Sequence, residues 1–187
     1  MAKKVITREM ILNAAFELMR KEGASALSVR AIANTCNCST QPIYLSFKGI
    51  DEIKSELYKM SLNYFYKFIE NEIRLGKYPE YKSVGMGYVK FAREERELFK
   101  YLFMDIPRAK PDSLNDSFDK SVEIIEKSLN VSKEVAERLH TEMWIFGHGI
   151  ATMYVTNFLQ FDLDTVSELY TDVYTGIIGI LGGKNGN

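Results

Sequence analysis

Residues 28–48 read Ser-Val-Arg-Ala-Ile-Ala-Asn-Thr-Cys-Asn-Cys-Ser-Thr-Gln-Pro-Ile-Tyr-Leu-Ser-Phe-Lys, and the fold turns on this stretch. Ser28 is an N-cap for a short helix in which Val29, Ile32 and Ala33 point inward. The chain then turns through Cys36-Asn37-Cys38, where Asn37 can take the left-handed conformation that a tight interhelical turn requires. Ser39 is expected to cap a third helix running to Ser46. Pro42 falls in its first turn, where the missing N–H costs no intrahelical bond. Two short helices joined by a tight turn form a helix-turn-helix unit.

On the N-terminal side, Thr7 caps an amphipathic helix in which Met10, Ile11, Ala14, Ala15, Leu18 and Met19 recur at helical spacing until Gly23 stops it. On the other side, Ile53, Leu57, Met60 and Tyr64 run along a long fourth helix. Tyr58, Phe65, Phe68 and Ile69 widen its stripe, and Gly76 with Pro79 ends it. Shorter helices are predicted at about 80–94 and 96–105, with a break at Pro107 and Pro111 and a further helix at about 113–129. Ser132 caps the next, in which Val135, Leu139, Met143, Phe146, Ile150 and Met153 keep a helical period to about Leu159. A last helix runs from about Asp164 to Leu181. No alternating strand pattern and no internal repeat interrupts this, so the fold class is all-α.

At 187 residues the chain is one domain, or a small module fused to a larger one. The 46% of hydrophobic residues supply a core, which excludes a disordered tail. No stretch approaches the ~20 consecutive apolar residues of a membrane span. Lys3 and Lys4 lead into Glu9 and not into an apolar run, so no signal peptide is expected. Cys36 and Cys38 are too close in sequence to staple distant segments, and a cytoplasmic location follows as the expectation. Residues 1–50 carry seven Lys and Arg against three Glu, or +4; the totals of 24 and 25 leave 17 minus 22, or −5, for the rest. A basic end on an acidic body points the first fifty residues at a polyanion.

The stretch Thr7 to Ile53, with T-R-E-M-I-L-N-A-A-F-E-L, then L-S-V-R-A-I-A, then S-T-Q-P-I-Y-L-S-F-K-G-I-D-E-I, resembles the DNA-binding domain of the TetR family of bacterial transcriptional regulators. The resemblance implies a helix-turn-helix DNA-binding domain at 1–49 and a helical ligand-binding and dimerisation domain at 50–187. It places the third helix, which Ser39 opens as a further DNA-binding residue, in the major groove of double-stranded DNA, with Thr40, Gln41 and Pro42 at the base edges. Gln41 suits a bidentate pair with adenine, Thr40 suits either partner, and Pro42 or Leu45 suits a thymine methyl. Ser28, Tyr44 and Lys48 fit phosphate contacts, and Arg30 fits a guanine or a phosphate. Plainer alternatives are a packing role for Tyr44 and a solvated charge for Arg30. Lys3, Lys4 and Arg8 are read as an N-terminal arm. The family commonly has lysine where Ile50 stands and uses it on a phosphate, so that contact is lost here or passes to Lys48.

The body is rich in aromatic side chains, and helical domains of this kind often hold a mostly apolar cavity. Tyr64, Phe68, Tyr88, Phe91, Phe103, Phe118, Trp144 and Phe146 are the candidate pocket residues, although aromatic stripes at helical spacing are mostly core. The family binds small molecules in this region, which implies an apolar or aromatic effector. Gly176 and Gly179 lie on one ridge of the last helix, where small residues let another helix approach. With the helix before it, this resembles the family's homodimer interface, a four-helix bundle that takes in Phe146, Ile150, Met153, Gly176, Gly179 and Ile180. Cys36 and Cys38 lack the four ligands of a structural zinc site, and His140 and His148 are too far apart on one helix to share a metal. No metal, no cofactor and no catalytic motif is expected. The function read from the sequence is a ligand-released repressor. Its rivals are a regulator of the same fold controlled by a protein partner and, less well supported, a helical small-molecule enzyme.

Overall fold

The computed structural model describes residues 5–105, 112–158 and 160–184, and all the regular structure among them is helical. Lys3, Lys4, Pro107, Pro111 and Leu159 lie outside the described residues. The helices are α1 (Arg8–Glu22), α2 (Val29–Thr35), α3 (Gln41–Ser46), α4 (Ile50–Arg74), α5 (Glu80–Glu94), α6 (Arg96–Phe99), α7 (Asp112–Leu129), α8 (Lys133–Thr156) and α9 (Leu163–Lys184). Two compact units result: Met1–Tyr66 with Glu95–Ile106, and Lys67–Glu94 with Pro107–Asn187. The first unit therefore takes in residues 50–66 of α4 and all of α6 together with the first three helices, more chain than residues 1–49.

Within the first unit α1 touches α2, α3 and α6, and it buries Ile11, Ala15, Phe16, Leu18 and Met19. The Thr7 hydroxyl accepts from the Met10 amide at 3.2 Å, and Gly23 ends the helix at φ +81°, as the sequence led us to expect. α6 passes into a π-helical turn over Lys100–Met104, where a single regular helix was predicted; the Asp105 amide reaches back to the Lys100 carbonyl at 2.8 Å. That turn packs Phe103 edge-on against Phe65 at 5.1 Å and sends the Tyr101 hydroxyl to the Lys54 carbonyl at 2.9 Å. Arg20, on α1, forms a two-pronged ion pair with Glu95, and the Tyr64 hydroxyl donates to the same carboxylate at 2.8 Å. These three side chains tie α1, α4 and the start of α6 together.

In the second unit α8 is central, touching α5, α7 and α9. Its inward stripe comprises Ala136, Leu139, His140, Met143, Gly147, Ile150, Ala151, Tyr154 and Val155. Ser132 caps it, accepting from the Val135 amide at 3.4 Å. The helix ends at Thr156, short of the predicted end, because Asn157 turns left-handed at φ 56° and the Phe158 amide closes on the Met153 carbonyl at 3.1 Å. Gly85 on α5 and Gly147 on α8 both face Tyr170 of α9: an added Cβ would lie 2.5 Å from its Cε1 at Gly85 and 2.1 Å from its hydroxyl at Gly147. Two tyrosines of α5 meet the two histidines of α8, Tyr81 with His140 and Tyr88 with His148, each hydroxyl 2.9 Å from Nδ1.

Candidate nucleic-acid interface

α2 begins at Ser28, whose hydroxyl accepts from the Ala31 amide at 3.1 Å, and it buries Ile32 and Ala33. It ends in a Schellman-type closure. Asn37 is left-handed at φ 53°, and the Cys38 amide reaches the Ala33 carbonyl at 3.0 Å. Asn37 thus does what a glycine usually does at this position. Cys36 is buried with its thiol toward the Met10 carbonyl, so it packs the turn, while Cys38 is half-buried.

α3 starts at Gln41, and Thr40 sits at its N-cap, which corrects the expectation that Ser39 caps it. Pro42 and Ile43 then decide what the Thr40 hydroxyl can do. A capping hydroxyl accepts from the second or third amide of the helix. Pro42 at the second position has no N–H, and the Ile43 amide is already bonded to the Thr40 carbonyl at 3.1 Å. The Thr40 hydroxyl is therefore not spent on the helix. Asn34, Asn37, Cys38 and Ser39 line a shallow open concavity beside this start.

α3 divides cleanly into two faces. Ile43 is fully buried and Phe47 nearly so, whereas Ser39, Thr40, Gln41, Tyr44, Leu45 and Lys48 are exposed, Leu45 at 81% and Tyr44 at 60%. Exposure of that order weighs against a core-packing role for Tyr44. Pro42 is half-buried, and Ser28 and Arg30 are exposed on α2. Ile50, the first residue of α4, is half-buried.

Arg8 is not part of an arm. It is the first residue of α1, and its guanidinium donates to the Ser46 carbonyl and to Glu52 at 3.0 Å while lying 3.9 Å from the centre of the Phe47 ring. Glu52 in turn accepts from the Lys48 amide at 2.7 Å. That amide and the Arg8 guanidinium hold the Glu52 carboxyl below its ordinary range. Sequence reading missed this pairing, since Arg8 and Glu52 are 44 residues apart.

Residues 11–57 match the family model described as bacterial regulatory proteins, tetR family, and residues 81–174 match the model of the tetracyclin repressor-like C-terminal domain. The chain belongs to the TetR family. It is a helix-turn-helix transcriptional regulator. Among solved structures, this TetR-family chain is similar to a Rhodococcus sp. RHA1 protein of unknown function, with 20% identity, TM-score 0.75, and 90% of this chain and 94% of the other covered. A TetR-like transcriptional regulator from the same organism gives 17% identity and TM-score 0.68, covering 97% and 100%. NalD, the secondary repressor of the MexAB-OprM multidrug efflux pump in Pseudomonas aeruginosa, gives 16% and 0.51, covering 90% and 93%. No curated protein matches the sequence.

The expected pocket residues fall in both units. Tyr64 and Phe103 belong to the first unit, where Tyr64 bonds Glu95 and Phe103 packs on Phe65 and Phe99. In the second unit Phe68 packs on the buried Phe91, Phe118 on His140 at 4.5 Å, and Phe146 on Tyr170 at 5.3 Å. Trp144 stacks on His148, which Tyr88 also meets, but remains 46% exposed. Of the expected dimer residues, Gly176, Gly179 and Ile180 are exposed and Met153 is half-buried. Ile150 is 4% exposed, inside the protomer's own core, and the Phe146 ring faces Tyr170. Apolar periodicity marks the inward face of α8. The outward face, with Ile145 at 61% exposed and Gly149 with open space around it, carries no such signal. Among the described residues no group of three His, Cys, Asp or Glu side chains is placed to hold a metal ion, and no helix is long and apolar enough to cross a membrane.

Proposed function

We propose that this regulator is a homodimeric repressor that grips a near-palindromic duplex with its two α3 helices and is released by a small apolar or aromatic molecule bound in the second unit. The observation that carries the reading is the two-faced α3, anchored by Ile43 and Phe47 and presenting Thr40, Gln41, Tyr44, Leu45 and Lys48 to solvent. Gln41 pairs with an adenine edge, Thr40 bonds a neighbouring base, and Leu45 or Pro42 meets a thymine methyl. Ser28, Tyr44 and Lys48 hold phosphates, and Arg30 reaches a phosphate or a guanine. α3 itself carries no charge, so affinity rests on these neighbours.

Selection from random duplex DNA tests this. The expected product is an inverted repeat whose half-sites lie ~34–36 Å apart, or a small multiple of that. Gln41→Ala is expected to relax base preference at one position per half-site by ~1–3 kcal/mol. A selection that enriches no inverted repeat overturns the reading.

Dimerisation is assigned to the outward faces of α8 and α9, with Ile145, Gly149, Gly176, Gly179 and Ile180. A Cβ added at Gly179 meets nothing within 4 Å in the protomer. Gly179→Phe therefore has room in a single copy, and any change in sedimentation reports on a second copy. The expected result is a monomer, at an overpacking cost of ~1–3 kcal/mol in the interface. An unaltered dimer moves the interface elsewhere.

Release requires the ligand to bind the DNA-incompetent arrangement more tightly, because equal affinity for both shifts nothing. Helix α4 is the proposed lever, since it is one continuous helix with Ile50 next to the recognition segment and residues of both units along its length.

A further inference from the structure

Residues 46–48, which join α3 to α4, are held at three successive positions. The Ser46 carbonyl accepts from Arg8, the Phe47 ring lies under the Arg8 guanidinium at 3.9 Å, and the Lys48 amide donates to Glu52 at 2.7 Å. The 3.0 Å pair between Arg8 and Glu52 closes the clasp. The Arg8 guanidinium and the Glu52 carboxylate each have partners within the protein, although both side chains are partly exposed.

We infer that Arg8 and Glu52 are positioning residues for DNA binding, which set the angle of α3 and the direction of Lys48 without touching DNA themselves. The inference rests on the DNA-binding reading above. Arg8 acts through its planar fork, which bonds a carbonyl and a carboxylate while covering a ring; a lysine keeps the charge but not that geometry. Glu52 acts against simple electrostatics. A carboxylate near a polyanion weakens binding by repulsion, so removing an idle one tightens the complex. Removing one that aims Lys48 loosens it.

The experiment measures the affinity of Arg8→Lys, Arg8→Ala, Glu52→Gln and Glu52→Ala for the duplex selected with the wild-type protein, by fluorescence anisotropy over a range of salt. Helical signal and active fraction are determined for each variant. Both Arg8 variants are expected to bind about tenfold more weakly with an unchanged salt slope. Glu52→Ala is expected to weaken binding about tenfold despite the lost negative charge. Glu52→Gln, which keeps an acceptor for the Lys48 amide, falls between it and the wild type. Wild-type affinity in Arg8→Lys, a slope shallower by about one in Arg8→Ala, or tighter binding in Glu52→Ala overturns the inference. If the wild-type protein itself selects no duplex, the DNA-binding reading falls and the clasp with it; wild-type binding with unaffected variants overturns the clasp alone.

Discussion

Acidification from pH 7 to pH 4 is expected to cost the folded chain up to about 3 kcal/mol through His140 alone. Burial on α8, with the Phe118 ring at 4.5 Å, pushes this imidazole from 6.5 down to about 4. The histidine is neutral in the fold, and its Nδ1 shares a 2.9 Å hydrogen bond with the Tyr81 hydroxyl. The unfolded chain takes up a proton as the pH falls below about 6.5, whereas the folded chain resists until about 4. Stability is thus fully present above the unfolded value and is lost as the pH falls through that window. At ~1.4 kcal/mol per pH unit the window is worth about 3 kcal/mol. Burial also lowers the His148 value, so its contribution has the same sign. Urea denaturation at pH 7 and pH 4 checks this. His140→Gln is expected to flatten the pH dependence by most of that amount, and equal slopes in the two proteins would refute it.

Gly147→Ala is expected to destabilise the chain, and the same change in a Tyr170→Phe background is expected to be neutral or stabilising. Alanine normally improves a helix over glycine by ~1 kcal/mol. Here the new Cβ would lie 2.1 Å from the Tyr170 hydroxyl oxygen, with the next ring atom at 3.3 Å. Tyr170 has little space to retreat. It is 5% exposed, its ring meets Phe146 edge-on at 5.3 Å, and Gly85 closes on Cε1. Overpacking of this kind costs ~1–3 kcal/mol, enough to outweigh the propensity gain. Removing the hydroxyl removes the clash, at the separate cost of its 3.3 Å bond to the Gly85 carbonyl. A double-mutant cycle by chemical denaturation reads the coupling. If Gly147→Ala has the same effect in both backgrounds, the tyrosine hydroxyl does not set the size limit at this position.

Local signals were legible in the sequence wherever a residue acts within a few positions of itself. Thr7, Ser28 and Ser132 cap because a short hydroxyl reaches an amide three residues on. Gly23, Asn37 and Gly76 end elements because their backbones adopt positive φ without the usual penalty. Ser39 lies one residue before the N-cap of α3, and Thr40 at that cap makes no side-chain bond by the same local logic, since Pro42 has no amide proton and the Thr40 carbonyl claims the Ile43 amide. Asn157 carried the same signal as Asn37, and the end of α8 was readable from it.

Capping, turn chemistry and 3.6-residue periodicity were enough to read an all-helical chain, the helix-turn-helix at residues 28–48 and the inward faces of the helices from the residues alone. The folded chain added the contacts that lie far apart in sequence and close in space. It paired Arg8 with Glu52 and Arg20 with Glu95, took Tyr64 into the first unit, and set two glycines around Tyr170. It also separated Ile150, buried in the core, from Ile145, exposed on the opposite face of α8. The physical reason is that periodicity records which residues leave water but not which partner they meet. A contact across 44 or 75 residues depends on how whole helices pack, which no local pattern encodes.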